Sequence, residues 1–262
     1  MKRWVKYIGS LPVRQAGFAL MVTIVLLSAC SKNTDDSTPI VFKANGDING
    51  KLNEFRTQLG AQLNTTPGVV GGRREINWDG VPADLINKAL PGDFFNPIDN
   101  GAPAGRQRGL TYAAPGGEFR VSNTSFTDVN AGAANQFSAF SGELAFANIS
   151  SSLWDAEFQV AGQAVAATVK GFGAVFSDVD LDNSTFLEFF NDDRSLGKFF
   201  VPAKSAGSNF SFLGVYFKNE KVTRVRVGHD GRLNEGLNDI SNGGTRDLIV
   251  MDDFLYDEPV KK

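Results

Sequence analysis

The densest chemistry in the chain lies in two short acidic strings. Asp178-Val179-Asp180-Leu181-Asp182-Asn183 sets carboxylates at alternate positions. That spacing lets them converge on one hard cation, and Ca²⁺ takes roughly six to eight oxygen ligands. The string opens like an EF-hand loop. Its sixth position is Asn183 rather than Gly, its twelfth is Phe189, and Glu188 comes one residue too early, so an EF-hand is rejected. A calcium site in a loop between strands is the remaining metal reading, completed by Asp252 and Asp253 near the C-terminus. The competing reading has these Asp residues ending strands and making turns.

Two further strings carry hydrogen-bonding chemistry. In Arg73-Arg74-Glu75-Ile76-Asn77-Trp78-Asp79-Gly80, Trp78 either stacks on a sugar ring while Asn77 and Asp79 bond its hydroxyls, or anchors the core. The second reading puts Trp78 beside an Asp-Gly turn, with Arg74 and Glu75 paired. Trp154, next to Asp155 and Glu157, poses the same choice. The stretch from His229 to Arg246 has no clear element and includes Asn234. Loops of that length in a compact domain are functional or disordered. Its amide, carboxylate and guanidinium groups suit sugar hydroxyls, and a solvated loop is the alternative.

Catalytic motifs are missing. His229 is the one His, and the sequence has no Gly-x-Ser-x-Gly, His-Glu-x-x-His or phosphate loop. Gly171-Phe172-Gly173 lacks the third glycine of a nucleotide fingerprint. Two-carboxylate glycoside hydrolysis stays open, because its geometry is invisible in a sequence.

Cys30, the single Cys, follows a basic start (Lys2, Arg3, Lys6, Arg14) and an uncharged run from Ala16 to Ala29. That run is too short to span a bilayer and suits a secretory signal over residues 1–29. Leu27-Ser28-Ala29-Cys30 resembles the lipobox of bacterial lipoproteins. The resemblance implies a lipid on Cys30, a membrane anchor and, with Ser31 next, the outer membrane of a bacterial cell envelope. Which face of that membrane stays open. Residues 30–39 are polar and short, as a tether is.

Residues 40–259 read as one domain. Ile48, Leu52, Phe55 and Leu59 recur at helical spacing, with Asp47 placed to cap the helix and Gly60 to end it. A short helical turn is expected at residues 82–88. Beyond residue 105 the chain reads as strands at 108–113, 118–122, 166–176, 185–190, 198–203, 210–218, 222–228 and 247–256. Residues 218–221 read as a hairpin turn between two of them. Short strands without alternating helices predict a mainly β fold, an antiparallel sandwich or barrel. Phe supplies 22 residues, which suits a core between two sheets. In Phe189-Phe190 and Phe199-Phe200 one ring must face away from that core.

The string from Gly72 to Pro82, then Leu90-Pro91-Gly92-Asp93-Phe94-Phe95-Asn96, resembles a recurring opening of exported bacterial proteins without an established activity. So do Gly171-Phe172-Gly173-Ala174-Val175-Phe176-Ser177-Asp178-Val179-Asp180, Ser211-Phe212-Leu213-Gly214-Val215 and Val250-Met251-Asp252-Asp253-Phe254. The later segments also resemble jelly-roll modules of the galactose-binding type. That resemblance implies glycan binding and a structural calcium.

After residue 29 the chain carries 22 bases against 29 acids, so counterion release gives it no drive toward nucleic acid. The expectation is an envelope lipoprotein with a non-catalytic sandwich that binds glycans or another surface ligand. An adhesion or structural protein with a protein partner is the first alternative, and a polysaccharide hydrolase the second.

Overall fold

Runs of apolar and β-branched residues broken by Gly, Asn and Asp turns become short strands here, because neither a helical period nor a long apolar run competes. The computed structural model describes residues 38–115, 117–229 and 248–262, together with residues 1, 4 and 9. In chain order the elements are β1 (Ile40–Asn45), α1 (Asn49–Leu59), β2 (Arg73–Ile76), β3 (Leu110–Ala113), β4 (Phe119–Ser122), β5 (Ala145–Asn148) and β6 (Leu153–Phe158). Then follow β7 (Ala167–Thr168), β8 (Gly171–Ser177), β9 (Thr185–Asn191), β10 (Arg194–Phe200), β11 (Phe210–Tyr216), β12 (Arg224–His229), β13 (Val250–Asp257) and β14 (Val260–Lys261). Residues 36–262 form one compact unit.

The first sheet runs β1-β11-β8-β13-β5-β4, and β2 also pairs with β13. The second runs β10-β9-β12-β6-β3, and β14-β7 is a small ribbon. From β5 onward the chain crosses repeatedly between the sheets. β5, β8, β11 and β13 belong to the first, and β6, β9, β10 and β12 to the second. The order β11-β8-β13-β5 against β10-β9-β12-β6 is the connectivity of a jelly roll. The fold is therefore an antiparallel β-sandwich of the expected class.

Side chains from both sheets fill the space between them, with Phe146, Phe172 and Phe254 from one and Tyr112, Trp154 and Phe189 from the other. The outward Phe residues are covered rather than bare. The Arg224 guanidinium lies 3.9 Å over the Phe190 ring and the Lys198 ammonium 4.1 Å over Phe186. Phe200 packs edge-on against Phe186.

The expected hairpin at residues 218–221 is not one. It joins β11 in the first sheet to β12 in the second. Val222, which exchanges both backbone hydrogen bonds with Val169, anchors the crossing. The real hairpin is β9–β10, where Asp192 and Asp193 make the turn and a bulge follows at Ser195 to Gly197.

Helix α1 starts where the Asp47 carboxylate accepts the Asn49 N–H at 3.1 Å. It ends where the Gly60 N–H bonds the Arg56 carbonyl. Leu52, Phe55 and Leu59 pack on the outer face of the first sheet with Phe42, Val175, Phe212 and Leu255. Glycines let the helix come close. A Cβ on Gly173 would lie 2.8 Å from the Phe55 ring, and one on Gly214 would lie 2.9 Å from it. The Gly171-Phe172-Gly173 string is thus a helix cradle. Residues 82–88 make single turns closed by Leu85 N–H to the Pro82 carbonyl and Lys88 N–H to the Leu85 carbonyl.

Candidate functional site

β13 changes partner halfway along one edge. Met251 pairs with Phe146 of β5, whereas Phe254 to Asp257 pair with Ile76 to Arg73 of β2. Between those partners lies a bulge at Asp252–Asp253, with Asp253 at φ 34°. A bulge bends its strand and re-aims side chains, and such bulges gather beside functional sites. Left-handed backbone at a residue other than Gly costs free energy that its surroundings must offset. Here they do so with hydrogen bonds. Asp252 Oδ2 accepts the N–H groups of Phe140 (2.7 Å) and Ser141 (2.9 Å), and its Oδ1 accepts the Asp253 N–H. The Ser141 hydroxyl donates to Asp253 Oδ1 at 2.6 Å. Asp79 Oδ1 accepts the N–H groups of Glu143 and Leu144. Three carboxylates therefore pin the segment at residues 140–144 over the break between β5 and β2.

Next to this break the surface opens into two adjoining cavities of about 460 and 320 Å³. Glu75, Asn77 and Arg108 line both. The larger adds Ile76, Phe95 and Arg106 to its walls, and the smaller adds Arg56, Ser141 and Asp253. Arg56 comes from the last turn of α1, so the glycine cradle under Phe55 also sets the position of a charged wall of the cleft. Its Nη2 lies 2.9 Å from Glu75 Oε2 and 3.7 Å from Asp253 Oδ2. Arg73 Nε holds the other Glu75 oxygen at 2.6 Å.

The protonation of the two facing acids diverges. Burial acts against the Glu75 anion, but hydrogen bonds from Arg56 and Arg73 outweigh it and hold its pKa below the ordinary value. Burial raises Asp253, and the charges of Glu75 and Asp79 add to it against Ser141 and Arg56. Asp252 is pushed up to about 8, by burial first and by neighbouring Asp253, despite its three N–H donors.

The structure revises several sequence expectations. Trp78 is fully buried, stacked on Phe146 at 3.9 Å and met edge-on by Phe95 and Phe254. It is a core anchor and presents no face to a sugar. Its flanking residues Asn77 and Asp79 are exposed, and Asn77 lines the cleft. Arg74 and Glu75 do not pair, because neighbouring strand residues point to opposite faces. Arg74 is buried in a bidentate pair with Glu258, both contacts 2.7 Å, while Glu75 takes Arg56 and Arg73. Trp154 is also a core residue.

The proposed calcium ligands do not assemble. Lys204 forms ion pairs with both Asp178 and Asp180, so an ammonium already stands where their carboxylates converge. Asp182 accepts the Ala203 N–H. Ser177 pairs with Val250 and Val175 with Asp252, which sets Asp252 inside the sheet and away from the loop beyond β8. Among the described residues, no three His, Cys, Asp or Glu side chains are grouped to hold a metal ion. This donor set does not fit Ca²⁺. His229 is buried at the end of β12. Cys30, Asn234 and Arg246 lie outside the described residues.

Sequence reasoning missed Arg56, Arg106, Arg108 and Ser141. Arg56 carried a signal, since it sits one residue past the buried Phe55 of a recognised helix. Ser141 carried none, being in the cleft only because Asp252 and Asp253 hold its loop. No protein-family model, curated protein or solved structure matches the chain.

Proposed function

We propose that the protein is a lipid-anchored envelope protein whose sandwich binds glycans, without catalysis, in the cleft beside the β13 bulge. The carrying observation is the composition of that cleft. Amide, carboxylate and guanidinium groups of Asn77, Glu75 and Arg108 stand beside the exposed apolar rings of Pro82 and Pro103. Sugars need that pairing, with planar polar groups for hydroxyls and apolar surface for ring C–H bonds. The lipobox-like Leu27-Ser28-Ala29-Cys30 supports anchoring through Cys30 in a bacterial outer membrane, and Cys30→Ala should release the protein from membranes. The test of binding is a polysaccharide panel against the compact unit at residues 36–262, with Asn77→Ala beside it. Exposed Asn77 carries no fold, so the variant should keep its melting temperature and lose binding; undiminished binding moves the site elsewhere.

A second reading, a polysaccharide hydrolase, is favoured by the divergent protonation of Glu75 and Asp253. Pairs of carboxylates with opposed shifts are how acid and base roles are divided. The two Arg partners of Glu75 weigh against it, since they occupy the lone pairs a base or nucleophile needs. Release of reducing ends that disappears in Asp253→Asn, with binding kept, would establish this reading over the first.

A further inference from the structure

The larger cavity is walled by two arginines that have no acid of their own. Arg106 lies 3.9 Å over the Phe94 ring and donates its Nε to the Phe94 carbonyl. Arg108 donates Nε to the Gly105 carbonyl at 2.6 Å and Nη1 to the Glu75 carbonyl at 3.1 Å. Among the described residues, neither guanidinium lies within ion-pair distance of a carboxylate. Glu75, the acid of this cavity, is already held by Arg56 and Arg73. Carbonyl acceptors fix an arginine's orientation but leave its charge uncompensated. The result is a rigid positive site on a body whose acids outnumber its bases.

We infer that this cavity takes an acidic sugar, a residue bearing a carboxylate or sulfate, with Arg106 and Arg108 on the oxyanion and Asn77 on a neighbouring hydroxyl. The inference rests on the glycan reading above and narrows it. Arginine forks match the two oxygens of a carboxylate, and charge-assisted hydrogen bonds are roughly twice as strong as neutral ones. A neutral sugar would remove water from both guanidiniums without giving them an anion, so the same pair that attracts an acid discriminates against its uncharged analogue. The cavity, at about 460 Å³, falls within the usual range for small-ligand sites. Fixing both side chains before binding lowers the entropy lost on association.

Titration of the whole protein with polygalacturonate, alginate and a glucuronate polymer, each native and methyl-esterified, tests the proposal. A sulfated and an unsulfated form of one neutral polymer distinguish the two oxyanions. At least one charged form should bind about tenfold or more tighter than its uncharged counterpart, weakening as salt rises. Arg106→Gln should erase most of that preference, about 10- to 100-fold in affinity, at unchanged melting temperature. Arg108→Lys keeps a charge but not the fork, and should retain part of it. Equal binding of charged and uncharged forms overturns the inference while leaving the glycan reading standing. A charge preference that survives in Arg106→Gln and Arg108→Gln also overturns it. No binding to any glycan removes both.

Discussion

Two acidic corners of the molecule share a strained backbone and differ in what answers their charge. At the end of β8, Asp178 (φ 64°) and Asp180 are almost wholly buried and both face Lys204. In the β13 bulge, Asp253 (φ 34°) and Asp252 are as deeply placed, yet their close partners are N–H groups and a hydroxyl, with Arg56 farther off. A cation beside the first pair completes it, so that corner closes on itself and ties the segment around residue 204 to the sheet. Dipoles and one longer ion pair to Arg56 leave the second pair with raised pKa values and one carboxylate facing an open cleft. Buried acids gathered at a left-handed residue therefore do not mark a site by themselves. How closely a counter-charge is held separates the closed corner from the candidate site.

Removing that counter-charge gives the largest effect. Lys204→Met should cost about 3 kcal/mol in urea unfolding, because breaking a buried pair strands its partners. Adding Asp178→Asn and Asp180→Asn should recover much of it. A single variant as stable as the parent would mean the two corners are alike.

Next comes Gly173→Ala. Its new methyl would meet Phe55 and the Gly214 backbone, each at 2.8 Å, and overpacking of this kind costs about 1–3 kcal/mol. The shift should reach the cleft through Arg56 and weaken ligand binding there. Amide exchange around Lys204 should be unchanged.

A pH titration sharpens the contrast further. Asp252 titrates near 8 in the folded protein against 3.8 as a free side chain. The folded state thus holds a proton that the unfolded chain has lost, and stability falls as pH rises toward 8. Asp257, raised to about 6, causes a similar fall that is over sooner. The interval from pH 6 to 8 therefore separates the bulge from Asp257, and Asp252→Asn separates it from His229. Stability should decline across it in the parent and be flatter in Asp252→Asn. A parent profile already flat there would show that the N–H donors outweigh burial.

The class of fold was legible because it depends on local signals. Alternation in Thr223 to Val227 and the helical spacing of Leu52, Phe55 and Leu59 each report one neighbour's face. β1, β2, β5, β6 and β14 escaped notice, β2 and β5 for a physical reason. β5 is buried on both sides and β2 has four residues, so neither shows enough period to recognise. The cleft was half legible. Asn77, Asp79, Asp252 and Asp253 were singled out by type, but their meeting depends on β2 and β5 abutting along β13, a long-range pairing that no local pattern encodes. The calcium reading overlooked a similar long-range contact. Lys204 is far from Asp180 along the chain, and spacing among acids says nothing about a distant cation.

Smaller effects test the bulge itself. Ser141→Ala removes one hydrogen bond to Asp253 and should cost about 1 kcal/mol or less. It should also raise the Asp253 pKa further, because the lost hydroxyl favours the anion. Carboxyl shifts in a ¹³C NMR titration would read this directly.

The smallest expected effect is none, and it bears on both corners at once. Melting temperature in calcium should equal that in chelator. At β8 the Lys204 ammonium already neutralises the pair, and a divalent ion would have to expel it and still find four or more oxygens. At β13 the Asp252 oxygens are taken by three N–H donors, groups that repel a cation. Lys204→Met makes the comparison decisive, since it frees two acids at one corner and none at the other. Calcium stabilisation that emerges in that variant would show lysine standing in for a metal at β8. A rise in the parent protein instead would mean that the carboxylates rearrange around the ion, and the contrast between a closed and an open corner would fall.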